Sequence, residues 1–346
     1  MFQISIIIPC YNVSQYIDRC LTSIVNQTMG VNSLQIICID DASTDNTWQC
    51  LQQWKQLYPN NIILIHLDSN RRQGTARNIA MQYVTAPWIS FIDADDWIEP
   101  DYCEIMYSYA STLNCDVVCC SYERDSSSTL SFLKERGSES RASRYLVIDT
   151  IEKRKIFFTN KSMGYPAWSK LIRTSLLIDN KIYFSENVAY EDDLWGSFIH
   201  MYTESVMILE LKLYHYFINP SSTVLKENSY HHIDWITAML IKWKEWKVRE
   251  VFELYRNELE YDFLTSCYLG FFRTLILRYN DPPYSLYLLL REIVLELIPC
   301  YESNPYLKEG LNEFQQLLLP ALSNQLSKRE FELLARNARI YLGIHG

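Results

Sequence analysis

No C-x-x-C pair occurs among the ten cysteines of this 346-residue chain, so a zinc ribbon has nothing to be built from. The cysteines are scattered, and several sit inside apolar runs such as Ile36-Ile37-Cys38-Ile39, where the thiol behaves as a small hydrophobe. Histidine is sparse at six, and there is no Walker loop, no H-E-x-x-H and no Ser-His-Asp pattern. Excess positive charge is also missing. Lys and Arg number 32 against 41 Asp and Glu, for a net charge of −9 and a pI near 5.3. Nucleic acid is therefore not expected as the partner, because a surface that follows phosphates is basic. No apolar run approaches the roughly 18 residues of a membrane span. The N-terminus enters a strand-like run with no basic leader. The expectation is a reduced, cytoplasmic protein without a signal peptide.

What is present is ample core material: 48% hydrophobic residues, 14% aromatic, and 25 tyrosines. The length suits one large domain or two ordinary ones. Ile4 to Ile8, Gln35 to Ile39, Ile62 to Leu67, Trp88 to Ile92 and Asp116 to Cys120 read as short strands. Between them the spacing predicts helices behind Ser14 as N-cap, through about Leu57, over Gly74 to Tyr83, and over Asp101 to Leu113. That alternation predicts βαβ units, an α/β fold with a mostly parallel sheet flanked by helices. Tyr122 to Arg144, rich in serine and charge, reads as a connection. Pro166 to Leu171 and Tyr190 to Trp195 each read as opening a helix. From about Lys226 the pattern is helical, Asp281-Pro282-Pro283 breaks it once, and Ser327-Lys328-Arg329-Glu330 is a capping-box pattern. Trp235, Trp243 and Trp246 read as core of that helical region. The expected domains are 1–225 and a C-terminal helical region, 226–346.

In an open sheet of this kind, ligands bind beyond the carboxyl ends of the strands. Three polar clusters fall there: Pro9-Cys10-Tyr11-Asn12, Asp40-Asp41, and Asp93-Ala94-Asp95-Asp96. Three carboxylates within four positions need a counter-charge, and a hard divalent cation completed by substrate phosphates would supply it.

These stretches, with Asn70 to Asn78 around Gly74 and Arg77, Trp168-Ser169-Lys170-Leu171, and Glu191-Asp192-Asp193-Leu194-Trp195, resemble the family 2 inverting glycosyltransferases of the GT-A fold. The GT-A fold is Rossmann-like, built for nucleotide-diphospho-sugars. The likeness covers about residues 1–225. It implies Pro9 and Tyr11 at the nucleotide base, Asp40 and Asp41 at the uracil or ribose edge, and Gly74 and Arg77 near the nucleotide. It further implies Asp93 beside the ribose, with Asp95 holding Mg²⁺ or Mn²⁺ at the diphosphate and Asp93 and Asp96 sharing the metal. Asp192 would be the catalytic base, and His215 would complete the metal shell. The implied function is transfer of a sugar, UDP-linked, to a hydroxyl of a glycan or lipid-linked acceptor in surface polysaccharide synthesis, with peripheral association at the inner face of the cell membrane. A non-catalytic nucleotide-sugar-binding relative and a sugar-1-phosphate nucleotidylyltransferase stay open as alternatives. Against the second, Pro9-Cys10-Tyr11-Asn12 is not a glycine-rich basic loop.

Overall fold

The computed structural model describes residues 1–127, 129–134, 143–219 and 226–343. By contacts the chain divides into two compact units, Met1–Asn187 with Glu191–Asn219, and Val188–Tyr190 with Pro220–Gly346.

The first unit is built on β1 (Ile4–Cys10), β2 (Leu34–Asp40), β3 (Ile62–His66) and β4 (Trp88–Phe91), all mutually parallel. The helices α1 (Ile17–Val25), α2 (Thr47–Leu57) and α3 (Arg72–Met81) supply the crossovers. Ile6, Ile8, Ile36 and Cys38 are all fully buried, as continuous apolar runs covered on both faces should be. The remaining strands are β5 (Trp97–Ile98), β6 (Val117–Asp125), β7 (Arg144–Val147), β8 (Lys170–Arg173) and β9 (Ser205–Phe217). The strand order is β3-β2-β1-β4-β8-β6-β9-β5, with β7 also on β9. Beyond β4 the sheet is mixed: β8 runs antiparallel to both β4 and β6, and β6 and β9 are parallel. Because β8 alone is inverted between β4 and β6, the carboxyl ends of β1, β2, β4, β6 and β9 all reach one edge. Helices α4 (Tyr102–Leu113), α5 (Ile151–Asn160), α6 (Thr174–Asp179) and α7 (Glu191–Tyr202) complete this unit.

Several local expectations change. Ser14 does not cap α1; the helix starts after Tyr16, and the Val13 and Ser14 amides donate to Thr47 Oγ1 and Asp45 Oδ2 instead. Pro166 to Leu171 opens no helix: its end enters β8, where Leu171 and Ile172 are buried between β4 and β6. Tyr122 to Asp125 is not connection but the end of β6, paired with Tyr214 to Phe217. Residues 128 and 135–142 of that stretch lie outside the described residues.

The second unit is helical: α8 (Asp234–Lys247), α9 (Arg256–Phe263), a π-helical turn at Leu264–Gly270, α10 (Phe271–Arg278), α11 (Tyr284–Leu297), α12 (Glu313–Leu318), α13 (Pro320–Ser323) and α14 (Lys328–Tyr341). The Ser327 capping box is formed with Glu330. Trp243 and Trp246 are buried, with Trp243 packed on Phe252 and Phe263, so this tryptophan pair is core. Inside the same core, Lys242 Nζ pairs with Asp262 at 2.5 Å.

Candidate active site

At the end of β1, Tyr11 stands 47% exposed. Its loop is tied to the next one: Asn12 Oδ1 accepts from the Thr44 amide (2.8 Å), and the Asn12 amide donates to Ser43 Oγ (3.0 Å). Pro9 lies within β1 opposite Ile39, and Cys10 O accepts from the Asp41 amide. Asp40 is wholly buried, with Oδ2 2.7 Å from His66 Nδ1, so it braces the loop from beneath. Asp41 accepts from the Arg71 amide at 2.7 Å, and burial pushes its carboxyl above the usual range in spite of that bond.

The three carboxylates after β4 divide by exposure. Asp93 and Asp95 are half-buried at the crevice, whereas Asp96 turns into the protein and is 1% exposed. Asp96 Oδ2 accepts from Tyr214 OH (2.5 Å) and Oδ1 from the Phe217 amide (2.7 Å). Burial first, then the charges of Asp95 and Asp93, hold Asp96 well above the normal carboxyl range. With both oxygens occupied inside the fold, Asp96 braces the turn rather than facing a metal. Asp95 Oδ2 accepts from Asn219 Nδ2 at 3.0 Å, and burial together with the Asp93 charge raises its carboxyl. His215 is also turned inward. Its Nε2 lies 2.7 Å from Glu99 Oε1, its Nδ1 3.3 Å from Asp125 Oδ2, and its ring stacks on Trp97 at 4.6 Å. Both nitrogens that could ligate a metal are spent on carboxylates, which corrects the expectation for His215.

Arg77 links this turn to α7. Its guanidinium, 2% exposed, donates from Nη2 to Asp93 Oδ1 (2.7 Å) and from Nη1 to Glu191 Oε1 (2.6 Å). So buried and doubly paired, Arg77 organises the acids rather than presenting a free charge to a nucleotide. Gly74, one turn earlier on α3, is needed by the chain itself. A Cβ there would stand 2.5 Å from Ser185 O and 2.8 Å from Glu191 Cγ, so the close approach is to the segment leading into α7. Asp192, in the first turn of α7, is half-buried. Burial, then the neighbouring charges of Glu191 and Asp193, push its carboxyl up to about 7, against the opposing pull of Arg77. Beside it, burial brings the Lys170 ammonium down to about 8.

Residues without a sequence signal complete the site. Arg19 on α1 lies between Trp97 (4.0 Å) and Phe217 (4.5 Å) and donates to Asp95 O at 2.5 Å. Tyr214 and Asn219 hold Asp96 and Asp95 from the end of β9. Only the tertiary pairing of β9 reveals them.

Among the described residues, no group of three or more His, Cys, Asp or Glu side chains is arranged to hold a metal ion unaided. The donor set at the crevice is a pair of acids, Asp93 and Asp95, and burial first, then the Asp93 charge, raises the Asp95 carboxyl. This fits a hard cation taking one or two carboxylates and drawing its other ligands from a diphosphate.

The family model of glycosyl transferase family 2 matches residues 5–179, just over half of the chain. EpsH of Bacillus subtilis, which is named as a glycosyltransferase, is 32% identical over 228 residues, 64% of this chain and 62% of that protein. The poly(ribitol-phosphate) β-glucosyltransferase of Bacillus spizizenii is 27% identical over 219 residues, 62% of this chain. The aligned region spans only 32% of that relative, so these relatives are substantially longer than what they share with this chain. Among solved structures, Staphylococcus aureus TarS 1-349 in complex with UDP superposes with a TM-score of 0.69 at 18% identity, covering 98% of this chain and 92% of that one. At that identity the likeness concerns the fold.

Proposed function

The chain belongs to glycosyl transferase family 2, and from that premise we propose that it transfers a sugar from a UDP-linked donor to an acceptor hydroxyl, with inversion at the anomeric carbon. Asp192 takes the proton from the acceptor hydroxyl as its oxygen attacks the anomeric carbon. The new glycosidic bond forms on the face opposite the departing diphosphate, and the nucleoside diphosphate leaves. The observation that carries this reading is the Arg77 bridge. One guanidinium joins an acid of the strand-end turn, Asp93, to the first turn of α7, where Asp192 is held near 7. A carboxylate in that range is a far better base than a solvated one.

Asp41 and Tyr11, with Pro9 beneath them, form the nucleoside end. Tyr11 offers an exposed ring for base stacking, and Asp41, 2% exposed, would meet the ligand only through the oxygen not taken by the Arg71 amide, with Asp40 steadying the loop from below. Asp93 and Asp95 would hold Mg²⁺ or Mn²⁺. When bound, such an ion takes up charge developing on the diphosphate oxygens. Arg19 fixes the backbone of Asp95, so the acid turn is oriented before any ligand arrives. The acceptor class is a glycan or lipid-linked saccharide of surface polysaccharide synthesis, handled at the inner face of the cell membrane. Among the described residues no helix is long and apolar enough to cross a membrane. Support for peripheral docking comes from α14, whose exposed Arg329, Leu333, Arg336 and Ile340 recur at one-face spacing.

A UDP-release assay over a panel of UDP-sugars, with Mn²⁺ and candidate acceptors, tests the reading. Asp192→Asn should lower turnover by about 10²–10⁴-fold while leaving UDP-sugar binding in place. Equal, negligible turnover of wild type and variant across the panel would favour a non-catalytic nucleotide-sugar-binding relative.

A further inference from the structure

Trp168, Tyr122 and Tyr216, at the β6/β9 end of the edge, take no part in the chemistry above; with them stands Tyr214, which holds Asp96. Trp168, in the segment before β8, lies nearly parallel to Tyr214 (5.0 Å, 17°) and Tyr216 (5.3 Å, 29°). Tyr122 stands edge-on to Trp168 (4.8 Å, 84°). This is not closed core. Tyr122 is 40% exposed, and Trp168 and Tyr216 are half-buried. Neither the Trp168 indole N–H nor the Tyr122 and Tyr216 hydroxyls have a hydrogen-bond partner among the described residues. These tips are not sealed in the core, so they are within reach of a ligand that brings its own hydroxyls.

Position selects the ligand. Tyr214, under Trp168, touches the acid turn: its hydroxyl bonds Asp96 and receives the Asp93 amide at 3.3 Å. The segment that carries Trp168 packs on α7, because a Cβ on Gly196 would meet Tyr165 Cα at 2.7 Å, and α7 opens with Asp192. The nucleoside end lies on the other side. In the strand order, β2 and β6 are four spacings apart, about 19 Å, with the acid turn of β4 midway. An aromatic face on the far flank of the acids, beside the base, is where an acceptor and not a nucleobase would lie.

We propose that Trp168, with Tyr122 edge-on and Tyr216 alongside, is the platform on which a pyranose ring of the acceptor packs. Resting on the glycosyltransferase reading, this names the acceptor class as a ring sugar rather than an open-chain polyol phosphate. A pyranose offers a face of C–H groups, which suits the negative π-face of an indole, and an equatorial belt of hydroxyls for the Trp and Tyr tips.

The test is saturation-transfer NMR on the whole chain with UDP and Mn²⁺ present. Methyl β-D-glucopyranoside and methyl N-acetyl-β-D-glucosaminide serve as probes, and ribitol 5-phosphate as the open-chain comparison. The expected result is saturation of pyranoside ring protons that falls at least fivefold in Trp168→Ala, is largely kept in Trp168→Phe, and is weak for ribitol 5-phosphate. UDP affinity, titrated in parallel, should be unchanged in both variants. Tyr122→Ala, at an exposed position, should halve the pyranoside signal and serves in place of Trp168→Ala if that variant does not fold. If UDP binds but no pyranoside is saturated, or if ribitol 5-phosphate is saturated as strongly, the platform is overturned and the glycosyltransferase reading stands. Loss of UDP affinity in Trp168→Ala equal to its loss of pyranoside signal assigns the ring to the donor, and overturns the proposal. Failure of wild type to bind UDP at all overturns both.

Discussion

Asp192 sits in a conflict of charges: burial, Glu191, Asp193 and Asp93 all disfavour its carboxylate, and Arg77 and Lys170 favour it. As the proposed base, Asp192 must be deprotonated to work, and its carboxyl is held near 7. Activity should therefore rise with pH on the acid side and level off above about 7. A kcat/KM profile from pH 5 to 9 at saturating Mn²⁺ checks this; an acid limb centred near pH 4 would mean a base in an ordinary carboxylate environment. The limb reports the coupled acids of the cluster rather than one isolated group. His215 makes the opposite case, a residue whose chemistry invites a role its surroundings deny. Held between Glu99 and Asp125, it belongs to the packing beneath the site. His215→Ala should cost about 3 kcal/mol in urea unfolding, the loss expected when one partner of a buried polar pair is removed, and leave Mn²⁺ affinity within twofold. Asp96 shows why sequence could not divide the labour among three neighbouring acids. Side-chain direction at a strand exit depends on what the turn packs against, here Tyr214 and Phe217, some 120 positions away in the chain.

At the level of elements, the parallel half of the sheet was legible because each strand is a bounded β-branched run and each crossover carries helical periodicity. The mixed half was not. β8 is four residues long behind a proline-and-tryptophan segment that resembles a helix start, and only its neighbours β4 and β6 make it a strand. β6 continues through Tyr122 to Asp125 because β9 pairs with it across an irregular register near Ser121, and such an irregularity leaves no local mark. The α3–α7 contact was half legible. Gly74 was recognisable as a position of close approach, and the approach within the chain is that of Ser185 and Glu191. Gly74→Ala should therefore destabilise the fold by about 1–3 kcal/mol through overpacking. Because the new methyl presses on Glu191, kcat should also fall while UDP affinity holds. Unfolding and UDP titration on the same preparation separate the two effects.

Across the whole molecule, a net charge of −9 works against any anionic surface, so docking to a membrane has to be local. The proposed means is the α14 stripe, where Leu333 (57% exposed) and Ile340 (56%) alternate with Arg329 and Arg336. Sedimentation with phosphatidylglycerol vesicles should show binding that weakens with salt and is lost in Leu333→Asp with Ile340→Asp. Unchanged binding in the double variant would remove α14 from the account. The 13 residues of β9 do more than pair with β6. Their alternation sends Tyr214 and Tyr216 to Trp168, and His215 and Phe217 to Trp97 and Arg19. Losing or gaining one residue within this stretch would exchange the two sets, setting a histidine against the indole of Trp168 and a tyrosine among the buried carboxylates. In descendants of this gene, then, insertions and deletions inside β9 should be purged, whereas a ring-for-ring change at Tyr216 keeps the register; at Tyr214 the hydroxyl bond to Asp96 must be kept as well.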